Sequence, residues 1–377
     1  MSIVVSADSH VVEPADLWQR RLPRRFRSQA PHRVDNGDGT HDFWVEGANG
    51  PVLVHKSDQT LVDDASHQED GEYDPSTRLR ALDEDGVWAE VLYPSTGLWA
   101  FSIADPELAM ASARVYNDWL AETFAGYPRF AGGAMLPVHD VPASVKEIER
   151  VAALGLRSLM LPMSPPASRP YHHRDYEPIW SAAAAWGLPL TFHVSTGGAI
   201  DSADRFDAGS DPAALIGGLI SVALPAPVVV SHLVGSGVFD RHPDLHMVLV
   251  ETGIGWLAWA LDELDRTSEL LREKAPIRER PSHYVRRNVH ATFMEDRVGL
   301  MNRGVTGVDS LLWGTDYPHH EGTWPHTQEA LVRLFAELAP ADQDAIVGGT
   351  TARIFRIEPP PSSALQTYGG DSRGSLG

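Results

Sequence analysis

No cysteine occurs among the 377 residues. Disulfides, zinc–thiolate sites, iron–sulfur clusters and thiol nucleophiles are excluded with it. Positive charge is also scarce: 31 Lys and Arg stand against 51 Asp and Glu, a formal net charge of −20. Such a surface repels nucleic-acid phosphates and anionic membranes, so neither is expected as a partner. A small anionic substrate passes the same test, because a bound divalent cation would dominate the field at short range. No uninterrupted apolar run approaches the roughly 18–20 residues of a spanning helix. The start, MSIVVSADSH, has no basic segment followed by a long apolar core, and the expectation is a cytoplasmic protein.

What is present is an ordinary apolar share of 43%, enough for a sizeable core. Short apolar runs fall at 3–7, 89–93, 131–136, 158–161, 188–193, 228–231, 247–251 and 311–314. Helical patterns such as VPASVKEIERVAALG, DYEPIWSAAAAWG and GIGWLAWALDELDRTSELLREK lie between them, and alternation of this kind predicts a parallel sheet. Eight strands is the number that closes a (β/α)8 TIM-type barrel. An open doubly wound sheet competes, but no Gly-rich phosphate loop follows the first strand. Residues 31–76 carry Asn-Gly and Asp-Gly pairs between short β-like runs and read as a β-hairpin insertion laid over the barrel. Residues 358–377, rich in Pro, Gly and Ser, read as a flexible tail, leaving 1–357 as a single barrel domain.

The chemistry is positional. Four expected strands end in a potential ligand: Asp8 and His10 after the first, then His193, His232 and Asp316. In a barrel all C-terminal strand ends share one face, where active sites lie. The Asp8-x-His10 spacing puts both side chains on one side of an extended segment. Singly, each has a plain explanation: a solvated turn, a hydrogen-bonded rim histidine, a loop cap. Jointly they describe a divalent-metal site of imidazole and carboxylate, suited to Zn, Fe or Mn. Supporting positions are Glu251 at a strand end, His319 and His320 just after Asp316, Tyr93 as a donor to substrate, and Glu13. Trp99, Phe101, Trp256 and Trp324 would suit a cyclic small-molecule substrate.

The segments SADSHVVEPADLW, FHVSTGG, SHLVGSGVFDRHPDLHMVLVETGIGWLAWALDELD and LLWGTDYPHHEGTWPHT resemble the amidohydrolase superfamily. The nearest branch is that of amidohydrolase-related proteins around aminocarboxymuconate-semialdehyde decarboxylase. The resemblance spans residues 3 to about 355. It implies a (β/α)8 barrel whose metal is held by Asp8, His10, His193 and Asp316, with His232 at strand six and Asp316 as the catalytic pair. Two departures are visible. Asp8 stands where many superfamily hydrolases carry the first histidine of His-x-His, which moves preference towards iron or manganese. The strand-four lysine of dinuclear members is missing from SLMLPMSPP, which favours one ion unless Glu13, Glu251 or His232 supplies ligands for a second.

The implied reaction is metal-assisted hydrolysis or nonoxidative decarboxylation of a small, cyclic, carboxylate-bearing substrate. The main alternative is a non-haem iron (one or two ions) monooxygenase on the same scaffold; a second is a ligand-binding barrel without turnover. The apolar stripe of the helix from residue 255 would suit a homo-oligomer contact.

Overall fold

The computed structural model describes residues 3–37, 41–47, 50–55, 73–197, 217, 220–271, 274–319 and 322–361. The expected tail beyond 361 and His320 lie outside the described residues.

Eleven strands are described: β1 Val5–Val11, β2 His32–Asp35, β3 His41–Gly47, β4 Gly50–His55, β5 Ala89–Pro94, β6 Phe130–Met135, β7 Ser158–Ser164, β8 Leu190–Gly197, β9 Met247–Val250, β10 Val289–Phe293 and β11 Leu311–Trp313. Eight form one parallel sheet in the order β1-β5-β6-β7-β8-β9-β10-β11. Helices such as Pro106–Phe124, Val141–Ala153 and Glu177–Trp186 connect them. The barrel strands are buried nearly throughout, as sheets covered on both faces must be. The two ends of the sheet meet at a parallel bridge between Ser9 and Tyr317, where the His10 amide donates to the Tyr317 carbonyl at 2.7 Å and the Asp316 amide to the Asp8 carbonyl at 2.9 Å. The (β/α)8 architecture is as expected.

A hydroxyl cluster fastens this seam. Ser6 Oγ lies 3.0 Å from both Ser9 Oγ and Thr315 Oγ1, and Ser9 Oγ lies 3.1 Å from Thr315 Oγ1. Ser6 also donates to the Asp8 carbonyl at 2.7 Å and accepts from the Thr315 amide at 2.9 Å. Beneath it, the fully buried Arg78 pairs with Glu90 and stacks its guanidinium 4.8 Å from the Tyr317 ring centre. Buried hydroxyls that satisfy one another and a paired buried charge escape the cost of isolated polar burial.

The insertion is a three-stranded antiparallel sheet, β2-β3-β4, one strand more than the expected hairpin. Phe43 and Val45 of β3 are buried, Trp44 and Glu46 only partly. That is the period-two alternation of a strand with one covered face. Phe43 packs edge-on against Trp18, ring centres 5.8 Å apart.

Two strand assignments need correction. Residues 228–231 are not a strand: they belong to the helix Pro225–Gly235. The run Val228-Val229-Val230 has β-branched content, but the helix buries Val229, Val230, Leu233 and Val234 and leaves Val228 exposed. Short apolar runs do not separate the two states by themselves, and here the helical period and the proline at the first turn decide. The sixth barrel strand is β9 and the seventh is β10 (VHATF), which follows the helix Pro281–Asn288 directly. Strand number survived; two identities changed.

Candidate metal centre

β1 brings Asp8 and His10 to the barrel mouth, β8 brings His193, and Asp316 follows β11 by three residues. All four are buried: at most 3% of any of them is exposed. His10 Nδ1 sits 2.9 Å from the Pro94 carbonyl and His193 Nδ1 3.0 Å from the Val194 carbonyl. A carbonyl can only accept, so each Nδ1 carries the hydrogen and each Nε2 presents a lone pair. Those two Nε2 atoms face one another at 3.1 Å. Bare lone pairs at that distance repel, and a shared cation removes the conflict.

The carboxylates agree. Asp8 Oδ2 accepts from Thr292 Oγ1 at 3.0 Å, which leaves Oδ1 aimed at the imidazoles, 3.9 Å from both Nε2 atoms. Asp316 Oδ2 takes His319 Nδ1 at 3.0 Å, which leaves Oδ1 3.4 Å from His10 Nε2. Asp8 Oδ1 and Asp316 Oδ1 are buried without a hydrogen-bond partner, an arrangement that costs energy unless a cation supplies the missing contact. Asp8, His10 and His193 form one candidate metal-holding group; His10, Asp316 and His319 form a second that shares His10. The residues fit a divalent cation.

Electrostatics point the same way. Burial, then the neighbouring Asp316 charge, pushes the Asp8 carboxyl well above its usual range. Burial holds His10 well below its ordinary value, and His193 down to about 4. The pocket therefore resists both carboxylate charge and imidazolium, which is the expected state of a site built around a positive ion it must supply from outside.

Strain gathers here too. Among the described residues four non-glycines have positive φ, and three of them, Ser195, Glu251 and Asp316, lie at the mouth ends of strands. Such backbone costs of order 1–3 kcal/mol each and is held by its surroundings. Glu251 shows how: its amide donates to Thr292 Oγ1 at 2.7 Å, and the same hydroxyl then donates to Asp8. Its carboxylate reaches His193 Nε2 at 3.4 Å.

The structure thus gathers Asp8, His10, His193, Asp316, Glu251 and His319. Tyr93 is beside them, its ring 5.7 Å from His193 and its hydroxyl buried without a hydrogen-bond partner. His232 is not in either metal-holding group. It lies on the helix Pro225–Gly235 with His172 4.7 Å away, ring centre to ring centre. His232 is therefore not at a strand end, and Glu251, just after β9, occupies the strand-six position instead.

Glu13 is buried but turned elsewhere, accepting from the Thr96 amide and hydroxyl at 3.0 and 2.7 Å and from the Gly97 amide at 2.9 Å. Burial raises its pKa from 4.5 to about 7. A carboxyl that holds its proton longer folded than unfolded makes stability fall with rising pH between those two values. The parent should therefore lose stability relative to Glu13→Gln as pH rises from 4.5 to 7.5; a constant difference between their denaturation midpoints would contradict the assignment.

Thr292 and Gly314 were not singled out in the sequence. Recognition of β10 would have exposed the first. For the second, a Cβ on Gly314 would lie 2.7 Å from Asp8 Cβ. Gly314→Ala should therefore displace Asp8 and weaken metal binding about 10–100-fold, the usual scale for disturbing a ligand's support. Competition with a chelator measures this; unchanged affinity would show that Asp8 has slack.

A closed barrel with mixed imidazole and carboxylate donors at its C-terminal mouth defines a metal-dependent barrel enzyme. The chain belongs to the amidohydrolase family, whose model matches residues 38–357. It is similar to gamma-resorcylate decarboxylase of Polaromonas sp. strain JS666, 26% identical over 337 residues that cover 82% of this chain and 99% of that one. Among solved structures it resembles in fold an amidohydrolase from Mycobacterium avium subsp. paratuberculosis K-10, at 22% identity and TM-score 0.77, covering 94% of this chain and 99% of the other. The dihydroxybenzoic acid decarboxylase of Polaromonas sp. JS666, solved with bound manganese and the inhibitor 2-nitroresorcinol, shares the fold at 21% identity and TM-score 0.65, with 96% and 98% of the two chains covered.

Proposed function

We propose that this protein is a metal-dependent nonoxidative decarboxylase of an aromatic or similar cyclic carboxylic acid. The observation that carries the reading is the pair of facing Nε2 lone pairs with two orphaned carboxylate oxygens beside them. The relatives named as decarboxylases support the choice of reaction. Asp8, His10, His193 and Asp316 would hold the ion. Bound there, a divalent ion would supply Lewis-acid chemistry to a substrate carboxylate.

The protein's own groups do the rest. Glu251, more open to the cavity than the four ligands, with its side chain 27% exposed, delivers a proton to the ring carbon that bears the carboxylate. A C–H bond forms there, the C–C bond to the carboxylate breaks, and CO2 leaves. The electron pair of the broken bond restores the ring. Glu251 takes the role that the sequence suggested for His232. His319, stacked on His10 at 4.2 Å and bonded to Asp316, holds two ligands in place. Tyr93, its ring 5.7 Å from His193, would bond a substrate oxygen. Hydrolysis on the same ligands would instead have Asp316 accept a proton from water.

Incubation of manganese-loaded protein with a panel of ortho-hydroxylated aromatic acids under strict anaerobiosis should release CO2. Absence of CO2 with every acid would overturn the reading. One observation favours a second: three carboxylates and three imidazoles converge here, and the two overlapping donor groups would serve two ions as well as one. An iron oxygenase would use such a set, although the relatives lend it no support. Two equivalents of iron with O2 consumption and a hydroxylated product would put it first.

Homo-oligomerisation is part of the proposal. Trp259, Leu270 and Leu271 of the helix Gly255–Leu271 are exposed, and adjacent apolar surface of this kind marks contact sites. Trp259→Asp should lower the mass measured by light scattering; a wild-type monomer would remove the idea.

A further inference from the structure

Thr292 is fully buried on β10, and its one hydroxyl touches two groups of the site. The Glu251 amide donates to Thr292 Oγ1 at 2.7 Å, and Thr292 Oγ1 donates to Asp8 Oδ2 at 3.0 Å. We infer that Thr292 is a positioning residue that sets both the metal ligand Asp8 and the proton donor Glu251. Loss of its hydroxyl would then damage metal binding and proton delivery together. The inference rests on the metal-dependent decarboxylase reading above and adds a residue to its machinery.

The direction of the two bonds is fixed by chemistry. An amide N–H can only donate, so it occupies a lone pair of the hydroxyl and leaves the hydroxyl hydrogen for the carboxylate. A hydroxyl that accepts one bond while donating another is strengthened as a donor. The strand order explains the reach. β11 lies between β10 and β1 in the sheet, so the hydroxyl spans a whole strand to meet Asp8. Gly314, just past the end of β11, puts no side chain against Asp8, whose Cβ a Cβ there would meet at 2.7 Å.

Each bond holds something that would otherwise move. The terminal torsion of an aspartate is soft and roughly two-fold, so an untethered Asp8 carboxylate would turn. With Oδ2 held by Thr292, Oδ1 stays 3.9 Å from the Nε2 atoms of both His10 and His193. At the other end, Glu251 follows β9 with a φ of 61°, a conformation that a non-glycine residue keeps only when its surroundings hold it. The bond from its amide to Oγ1 is part of that hold, and it fixes where the acid's side chain begins. Thr is also stiff about its first side-chain torsion, which leaves the hydroxyl little freedom to abandon either partner.

The test is chelator competition for manganese on Thr292→Val and Thr292→Ser, with kinetics at saturating manganese on an acid that the parent decarboxylates. Valine keeps the shape and removes the hydroxyl; serine keeps the hydroxyl and drops the methyl. Thr292→Val should bind manganese about 10–100-fold more weakly, the usual scale for removing a ligand's hydrogen-bonded support. Its kcat at saturating manganese should fall with KM little changed. Thr292→Ser should stay near the parent in both respects. When Thr292→Val is added to Glu251→Gln, kcat should fall little further, because both changes act on one proton donor. If valine prevents folding, Thr292→Ala removes the same hydroxyl without added bulk and is read in its place. Parental manganese affinity without the hydroxyl would overturn the inference. So would a serine variant as weak as the valine one, since packing and not the hydroxyl would then be the cause. An undiminished kcat at saturating manganese would overturn the link to Glu251. If the parent itself binds no manganese, the metal-centre reading falls and takes this inference with it. If the parent binds manganese but releases no CO2, the decarboxylase reading falls alone, and the affinities still decide the link to Asp8.

Discussion

His193→Ala should leave a folded barrel that no longer retains its metal. The side chain is packed beside Tyr93, and its Nε2 is one of two lone pairs that meet at the centre. Removing it takes away a ligand and also relieves the repulsion that the ion otherwise relieves. Metal content by elemental analysis should fall from about one equivalent to near background. Activity should fall by at least about 10^3-fold, since a Lewis-acid ion supplies several kcal/mol and each 1.36 kcal/mol is tenfold in rate. Asp8→Asn separates the two effects. Its carboxyl is disfavoured by burial and by Asp316, so the amide should raise the melting temperature of the metal-free protein while abolishing the further rise that metal gives the wild type. A variant as tightly metallated and active as the parent would end the proposal.

Glu251→Gln should behave differently: metal retained, KM little changed, kcat reduced. An amide keeps the shape and the backbone bond to Thr292 but has no proton to give at neutral pH. General acid catalysis is worth about 10^2–10^4-fold, and kcat should fall within that range. A loss of metal instead would make Glu251 a ligand. His232→Ala is the matching control. Its imidazole projects from the helix Pro225–Gly235 and meets His172, so the variant should turn over at the parental rate. Inactivation by His232→Ala alone would restore the strand-six assignment made from sequence.

The contrast between those two residues shows what could be read in the chain. Asp8-x-His10, His193 and Asp316 each stand at or just after a short apolar run that folds as a strand, so their convergence was legible. His232 follows a run just as apolar, yet Pro225 starts a helix there and burial returns every three to four residues. Local composition carries no record of which neighbour a short valine run will pack against. β10 was hidden for the opposite reason: His290 and Thr292 interrupt it with polar groups that find partners only across the fold. His290 Nδ1 donates to the Asp309 carbonyl and its Nε2 accepts from His246 Nδ1, and Thr292 bridges Glu251 to Asp8. Likewise the hydroxyls of Ser6, Ser9 and Thr315 look like turn residues until the ends of the chain are brought together.

That seam has a consequence for how the protein matures. Of the four proposed ligands, two come from the first strand and one comes after the last, more than 300 positions later. A nascent chain therefore owns no complete site until residue 316 has emerged and docked between its own beginning and Tyr317. On the proposed ligand set, metal capture would report completion of the barrel, and a chain stopped short of residue 316 would lack the ion that stabilises the finished fold.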